Sequence, residues 1–567
     1  MDLTFSKNTV HVFSAWFGRN SNVQSFVAEE KRRPPYPCRT PDALPSAEPE
    51  EVGMESGRIM KFYKRLARED SIKMQTVIIA RNGHVISRAH FYPYSTDIWH
   101  VSHSLAKSLT GLAVGLLFDD GLISPDDKLL DFFKDAPPAA RINHKNTTIH
   151  HLLTMQTGVF FNEAGAVTDT DWVRAYLESG VKFRPGTQFE YNSMNTYILS
   201  AIVKRISGKG TLQLLRERIF EPLGIRDIFW EKCPRGIEKG GWGIYYYPDD
   251  ILKIGQLYLN GGVWEGKRLI SEKWIKESTK KQIDTPDETG IYGYGYQVWC
   301  KEDRSTFLFN GMFGQNLIVF PRTNIMIATT AGIDETFQNS ALYSIVEEYF
   351  GTPYRPRAGL ARDPEALAAL RALEPSLVMH NSDAYKYGGS SSLPALDGVY
   401  EIQGNDGFGL SILPELYQAV HNNFAEGLKR VTLSVNGGEG ELTTLEGETA
   451  HTVKFGIGHE VPGCIEYGGE SILTSARAYD AGGGKMKITI TFPELPNIRY
   501  ITLEKTEDGV SAKWEEAPGY DFLYKMMDRS FLGKLMLGDK KKAVDADFIT
   551  RRVKYFLQPT VKMKKVR

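Results

Sequence analysis

SLAKSLTGLAVGLLFDDGL, residues 104–122, decides how this chain is read. The stretch is apolar on every side and rich in small residues, the pattern of a helix buried all round. It stops at Asp119-Asp120-Gly121, a polar exit with a glycine suited to a helix end. At its front edge stands Ser104-Leu105-Ala106-Lys107. Residues three apart share a helix face, so the Ser104 hydroxyl and the Lys107 amine are expected to meet. Serine is a weak nucleophile until something accepts its proton, and lysine accepts one only when neutral. Burial against Leu105, Leu109 and the helix body lowers a lysine pKa toward that state. The N–H groups of a first helical turn favour negative charge building beside Ser104. Ser104 is therefore the candidate nucleophile and Lys107 its candidate base.

The motif alone is weak evidence, because a chain this long holds about two S-x-x-K matches by chance. The other match is Ser278-Thr279-Lys280-Lys281, which lies in a polar, lysine-rich stretch and reads as a solvated helix face. Two further segments single out Ser104. PGTQFEYNS, residues 185–193, delivers Tyr191 and two short polar residues just before another apolar helix. A phenol near a lysine amine relays a proton to a leaving group, so Tyr191 is the candidate relay. Asn192 and Ser193 are candidates for binding substrate or steadying the lysine. FNGMFGQ, residues 309–315, runs into the β-rich NLIVFP. Its glycines let backbone approach a ligand, which makes Gly311 and Met312 candidates for an oxyanion hole shared with the Ser104 N–H.

Working outward, residues 1–47 read as an N-terminal arm, proline-rich and charged over 30–50. The segment from Glu55 to Ala67 suits an amphipathic helix. Two β-rich runs then flank Asn82-Gly83, a hairpin signal. Helical patterns follow around residues 150–155, 171–179, 196–206 and 212–218, and strands return near 307–330. Strands, a block of helices and strands again fit one sheet with a helical lobe and a cleft between them. That domain is expected over residues 48–352. A linker with one short helix, Pro364 to Leu373, is expected over 353–394. Residues 395–525 alternate apolar with polar and read as an antiparallel β accessory domain, a small barrel or sandwich. Residues 526–567 read as a helical, basic C-terminal tail.

Net charge is -1 with a sequence pI near 6.9. No bulk positive field is present to hold nucleic acid or an anionic membrane. The four cysteines are scattered, which indicates neither a disulfide framework nor a zinc site. No signal peptide and no apolar run of spanning length is read, so a cytoplasmic location is expected. No cofactor and no metal is expected. His150-His151 are adjacent and point apart on a helix, and His100 and His103 read as structural or substrate-lining. No Gly-x-Ser-x-Gly elbow, Walker loop or H-E-x-x-H occurs.

Ser104–Lys107, Tyr191 and the 309–315 turn, in that order and spacing, resemble the serine β-lactamase and penicillin-binding-protein superfamily. The nearest likeness is to class C-like esterases and the 6-aminohexanoate-dimer hydrolase type. It extends over roughly residues 48–350 and includes PEEVGM (49–54), TIHHLLTMQTG (148–158), RIFEPLGI (218–225) and GGVWEGKRLIS (261–271). The resemblance implies an α+β fold, an α/β sandwich with an antiparallel sheet flanked by helices beside a helical lobe. It implies that Ser104 is acylated, that Lys107 is its base and that Tyr191 protonates the leaving group. Ser193 falls where lactamases carry the asparagine of Tyr-x-Asn. The family's Lys-Thr-Gly or His-x-Gly strand motif is replaced by Gly311-Met312-Phe313-Gly314-Gln315. That departure points away from efficient lactam turnover and toward small ester, amide or peptide substrates. The alternatives are a D-amino-acid peptidase or weak β-lactamase, and a non-catalytic binding or scaffolding descendant.

Overall fold

The computed structural model describes residue 31 and residues 44–387, 393–403, 410–519 and 558–566. These fall into two compact units, the first built from residues 44–331 and 337–377, the second from 332–336 and residues beyond 377.

The first unit is organised around a seven-stranded antiparallel sheet. Its strands are β1 (Met74–Arg81), β2 (His84–His90), β8 (Gly293–Tyr294), β9 (Trp299–Cys300), β10 (Phe307–Gly311), β11 (Gln315–Phe320) and β12 (Ile325–Ala331), in the order β2-β1-β12-β11-β10-β9-β8. The run MQTVIIAR is β-branched and buried along most of its length, which suits a central strand. Asn82 and Gly83 both take positive φ, 51° and 79°, the geometry of a tight two-residue hairpin. β1 then pairs with β12, Val77 opposite Thr329, so the first and last strands of the unit lie side by side. Between them in sequence come three short strands, β3 (His100–Ser102), β4 (Phe229–Trp230) and β5 (Ile244–Tyr246), in one small sheet, and the β6–β7 hairpin (Val263–Trp264, Lys267–Arg268).

The expected buried helix spans Ala106–Asp119, and every residue from Ala106 to Leu117 is buried. It packs on the helix Ser193–Ser207, which is buried from Ser193 to Val203. Truncating a leucine in such a core, Leu109 for example, costs about 2–5 kcal/mol. The helix Ser56–Ala67 buries Ile59, Phe62, Tyr63 and Leu66 on one face, as its pattern dictates. The second S-x-x-K match departs from its expected solvated face. Ser278 is buried and bonds the Ile275 carbonyl, and Lys281 is paired with Asp284 and Glu302. Those carboxylates raise the Lys281 pKa, which holds it protonated and disqualifies it as a base.

The second unit is a closed antiparallel barrel. Its strands are β13 (Gly398–Gln403), β14 (Leu428–Asn436), β15 (Glu439–Glu446), β16 (Thr449–Ile457), β17 (Val461–Tyr467), β18 (Glu470–Asp480), β19 (Lys485–Thr491), β20 (Ile498–Lys505), β21 (Gly509–Ala517) and β22 (Thr560–Lys565). They pair antiparallel in the order β16-β15-β14-β13-β22-β21-β20-β19-β18-β17, and a short parallel β16–β18 pairing closes the ring. The strand β22 corrects the sequence reading, which placed Thr560–Lys565 in a helical tail. TVKMKK alternates buried with exposed residues and inserts between β13 and β21, where its backbone groups find partners on both sides. Residues 526–557 of that tail and nearly all of the N-terminal arm lie outside the described residues.

Candidate active site

The helix Ala106–Asp119 begins one turn after β3, and Ser104 sits on that turn. The Lys107 N–H bonds the Ser104 carbonyl at 3.0 Å, which winds the chain so that the two side chains face each other. Lys107 Nζ lies 2.8 Å from Ser104 Oγ. It also donates to the Gly241 carbonyl at 2.9 Å and stands 4.8 Å from the centre of the Tyr191 ring. Lys107 is 1% exposed. Burial drives its pKa down to about 7, against the opposing pull of the Glu163 carboxylate. Near neutral pH the amine therefore exists substantially in the form that accepts a proton.

Tyr191 precedes the helix Ser193–Ser207. Its ring lies parallel to Trp299, with centroids 5.8 Å apart and planes at 23°, and Phe337 meets it edge-on at 5.2 Å. These contacts hold the ring beside Lys107, with the phenol close enough to Ser104 for the serine hydroxyl to act on its pKa. Desolvation raises the phenol's pKa, so it stays protonated and able to donate. Ser104 thus stands between a buried amine and a protonated phenol.

Asn192 does not join that group. Its side chain caps the helix by accepting from the Met194 N–H, and it donates to the Val159 and Phe161 carbonyls. With its amide committed to backbone, it positions the start of this helix. Ser193 is 6% exposed and lies by Gly241, where an added Cβ would come 3.0 Å from the Ser193 Cβ and 3.4 Å from Lys107 Nζ. Glycine is thus what lets the Gly241 carbonyl reach the lysine.

Gly311 ends β10 against the turn that carries Ser104, since a Cβ there would lie 3.2 Å from the Leu105 nitrogen. Met312 follows it, and Phe313 takes φ 69° and packs edge-on against His103 at 5.3 Å. The turn is held by a buried amide network. Asn310 donates to Asn316 and to the Tyr343 hydroxyl, Gln338 donates to Asn310, and Thr329 donates to the Gly314 carbonyl.

Three contributors were not read from sequence. Glu163, at the start of the helix Glu163–Thr168, accepts the Ser193 N–H at 2.7 Å and acts electrostatically on both Lys107 and Tyr191. Gln297 takes φ 60° and ties the helix to its surroundings. Its carbonyl accepts from Ser108, its amide oxygen from Thr196, and its amide donates to the Leu152 and Leu153 carbonyls. The strap Lys239–Gly243 carries the Gly241 carbonyl, and its Lys239 is buried in a 2.8 Å ion pair with Glu231. No local motif marks these residues, because each acts across a long sequence separation. His150 and His151 serve structure: His150 contacts the Tyr296 hydroxyl and His151 accepts the Thr148 N–H. Among the described residues no group of three or more His, Cys, Asp or Glu is placed to hold a metal ion, and no helix is long and apolar enough to cross a membrane.

Residues 64–343 match the Beta-lactamase family profile. The penicillin-binding protein 4 of Amycolatopsis lactamdurans is 30% identical over 312 residues, which cover 47% of this chain and 81% of that protein. The chain belongs to the serine β-lactamase and penicillin-binding-protein superfamily. Within that superfamily the 6-aminohexanoate-dimer hydrolase of Paenarthrobacter ureafaciens is 26% identical over 278 residues, 44% of this chain and 70% of that one. The crystal structure of a family VIII carboxylesterase aligns with a TM-score of 0.44 at 18% identity, over 54% of this chain and 97% of that one. The protein is a serine hydrolase of this superfamily.

Proposed function

We propose that the protein cleaves small esters or amides through an acyl-enzyme on Ser104. Lys107 Nζ takes the Ser104 proton as Oγ attacks the substrate carbonyl. The oxyanion is held by the backbone N–H groups of Ser104 and Met312. Tyr191 passes a proton to the departing oxygen or nitrogen, and the Lys107–Tyr191 pair then activates water to release the acid. The observation that carries this reading is the 2.8 Å approach of a buried amine with pKa about 7 to a serine hydroxyl.

The site also bears on substrate class. The Glu163 carboxylate lies close enough to affect Lys107 and Tyr191, and Gly311-Met312-Phe313-Gly314-Gln315 stands in place of the family's Lys-Thr-Gly or His-x-Gly strand motif. An anionic substrate carboxylate is thereby disfavoured, and neutral esters and amides fit better than penicillins or peptides ending in a free carboxylate. A fluorophosphonate probe tests the assignment of the nucleophile. Intact mass and peptide mapping should show one adduct, on Ser104, absent from Ser104→Ala. Labelling on any other serine refutes it.

A further inference from the structure

The hairpin of β8 and β9 turns at residues 295–298, where the Gly295 N–H bonds the Val298 carbonyl at 2.8 Å. Gln297 in that turn is 1% exposed and takes φ 60°. A left-handed backbone is costly for a residue with a long side chain, and it persists only where the surroundings hold it. Each polar group of Gln297 is engaged. Its N–H donates to the Leu153 carbonyl at 3.1 Å, and its carbonyl accepts from the Ser108 hydroxyl at 2.7 Å. Its amide oxygen accepts from the Thr196 hydroxyl at 2.6 Å, and its amide nitrogen donates to the Leu152 and Leu153 carbonyls at 3.1 and 2.9 Å. Ser108 follows Lys107 on the buried helix, and Thr196 lies on the helix that follows Tyr191. One strained residue therefore grips both helices. The approach is close, for a Cβ on Gly111 would lie 3.1 Å from the Gln297 Cβ and 3.2 Å from the Tyr296 carbonyl oxygen.

The same hairpin carries the aromatic residues that seat Tyr191. Tyr294 meets the Tyr191 ring edge-on at 6.3 Å, and Trp299 lies along it at 5.8 Å. The turn that grips the Lys107 helix thus also sets where the Tyr191 ring stands. We propose that Gln297 is a positioning residue for the proton relay: its amide bolts the aromatic seat of Tyr191 to the helix that carries Lys107, so that the Ser104 hydroxyl stays between amine and phenol. This inference rests on the reading of Ser104, Lys107 and Tyr191 given above. The Gln297 bonds go to structural groups and not to the reacting atoms, so losing them misaligns the relay and leaves nucleophile and base in place. A misplacement of about 1 Å at a reacting group costs about 10²-fold in rate.

The test compares kcat/KM on ethyl butyrate, whose leaving group needs a proton, with kcat/KM on p-nitrophenyl butyrate, whose leaving group does not. Gln297→Met keeps the side-chain length and the backbone bonds and removes the amide. Thr196→Val, close in shape, removes one of its partners from the opposite helix. Both are assayed in the full chain, well below their melting temperatures. Gln297→Met should lose at least about tenfold more on the ethyl ester than on the p-nitrophenyl ester, and Thr196→Val at least about threefold more. A merely structural residue would lower both rates alike. Added to Tyr191→Phe, Gln297→Met should enlarge the difference between the esters by less than about twofold, because the relay it positions is already gone. Equal losses on the two esters in both variants, or a difference that adds in full to that of Tyr191→Phe, overturns this inference alone. Equal losses in Tyr191→Phe itself overturn the relay and the inference together.

Discussion

Replacing Lys107 by methionine should abolish activity and at the same time change how stability depends on pH. Burial lowers the lysine pKa from 10.5 to about 7. In the unfolded chain it returns to about 10.4. Between those values the unfolded state binds the extra proton, so stability rises with pH across that window. Below pH 7 both states are protonated and the full desolvation cost applies, about 5 kcal/mol. At pH 9 the folded amine is neutral and the residual cost is about 2 kcal/mol. The wild-type protein should therefore gain about 3 kcal/mol from this one residue between pH 6 and pH 9, a gain Lys107→Met cannot show. Removing Nζ also leaves Ser104 Oγ and the Gly241 carbonyl short of a partner. That loss, about 1 kcal/mol for each bond, does not vary with pH over this range. Urea unfolding of both proteins at pH 6 and 9, read by tryptophan fluorescence, gives the difference directly. The stability of Lys107→Met relative to wild type should be about 3 kcal/mol more favourable at pH 6 than at pH 9. A difference that is the same at both pH values, within 1 kcal/mol, would refute the buried, depressed amine.

Removing the Glu163 charge should act through the same amine. The carboxylate raises the Lys107 pKa, so Glu163→Gln should move the acid limb of kcat/KM, expected near pH 7, to lower pH; an upward shift contradicts the assigned electrostatics. Tyr191→Phe should cost about 10²–10⁴-fold on amides and alkyl esters, whose leaving groups need a proton. It should cost far less on p-nitrophenyl esters, and an equal loss on both classes would remove Tyr191 as the relay. Asn192→Ala should lower stability by about 0.5–2 kcal/mol through loss of the helix cap. A raised KM at unchanged stability would instead return Asn192 to the substrate.

Much of the first unit was legible because its signals are local. Asn82-Gly83 carries its own turn geometry, and the unbroken apolar run after Ser104 admits a buried helix. Ser104 and Lys107 were legible because one helical turn fixes their spacing. Tyr191 was legible from its Pro-Gly lead-in and the motif it resembles. What escaped depends on long-range contact. The Gly241 carbonyl reaches Lys107 across 134 residues, and Glu163 reaches Ser193 across 30. Neither leaves a periodic trace. The capping role of Asn192 was not legible, because a short polar residue before a helix serves equally as a cap or as a ligand contact, and its three backbone bonds appear only in the fold. Residues 560–565 misled because a lysine-rich tail suggests a solvated terminus, whereas its alternating valine and methionine complete a barrel.

Proton transfer from Ser104 requires a neutral Lys107 amine in the resting protein. Titration of ε-¹³C-labelled lysines by NMR, with Lys107→Arg to assign the signal, measures it directly. One resonance, missing in the variant, should titrate near pH 7. If the Lys107 signal titrates above pH 9, the amine is charged at neutral pH and cannot take the Ser104 proton.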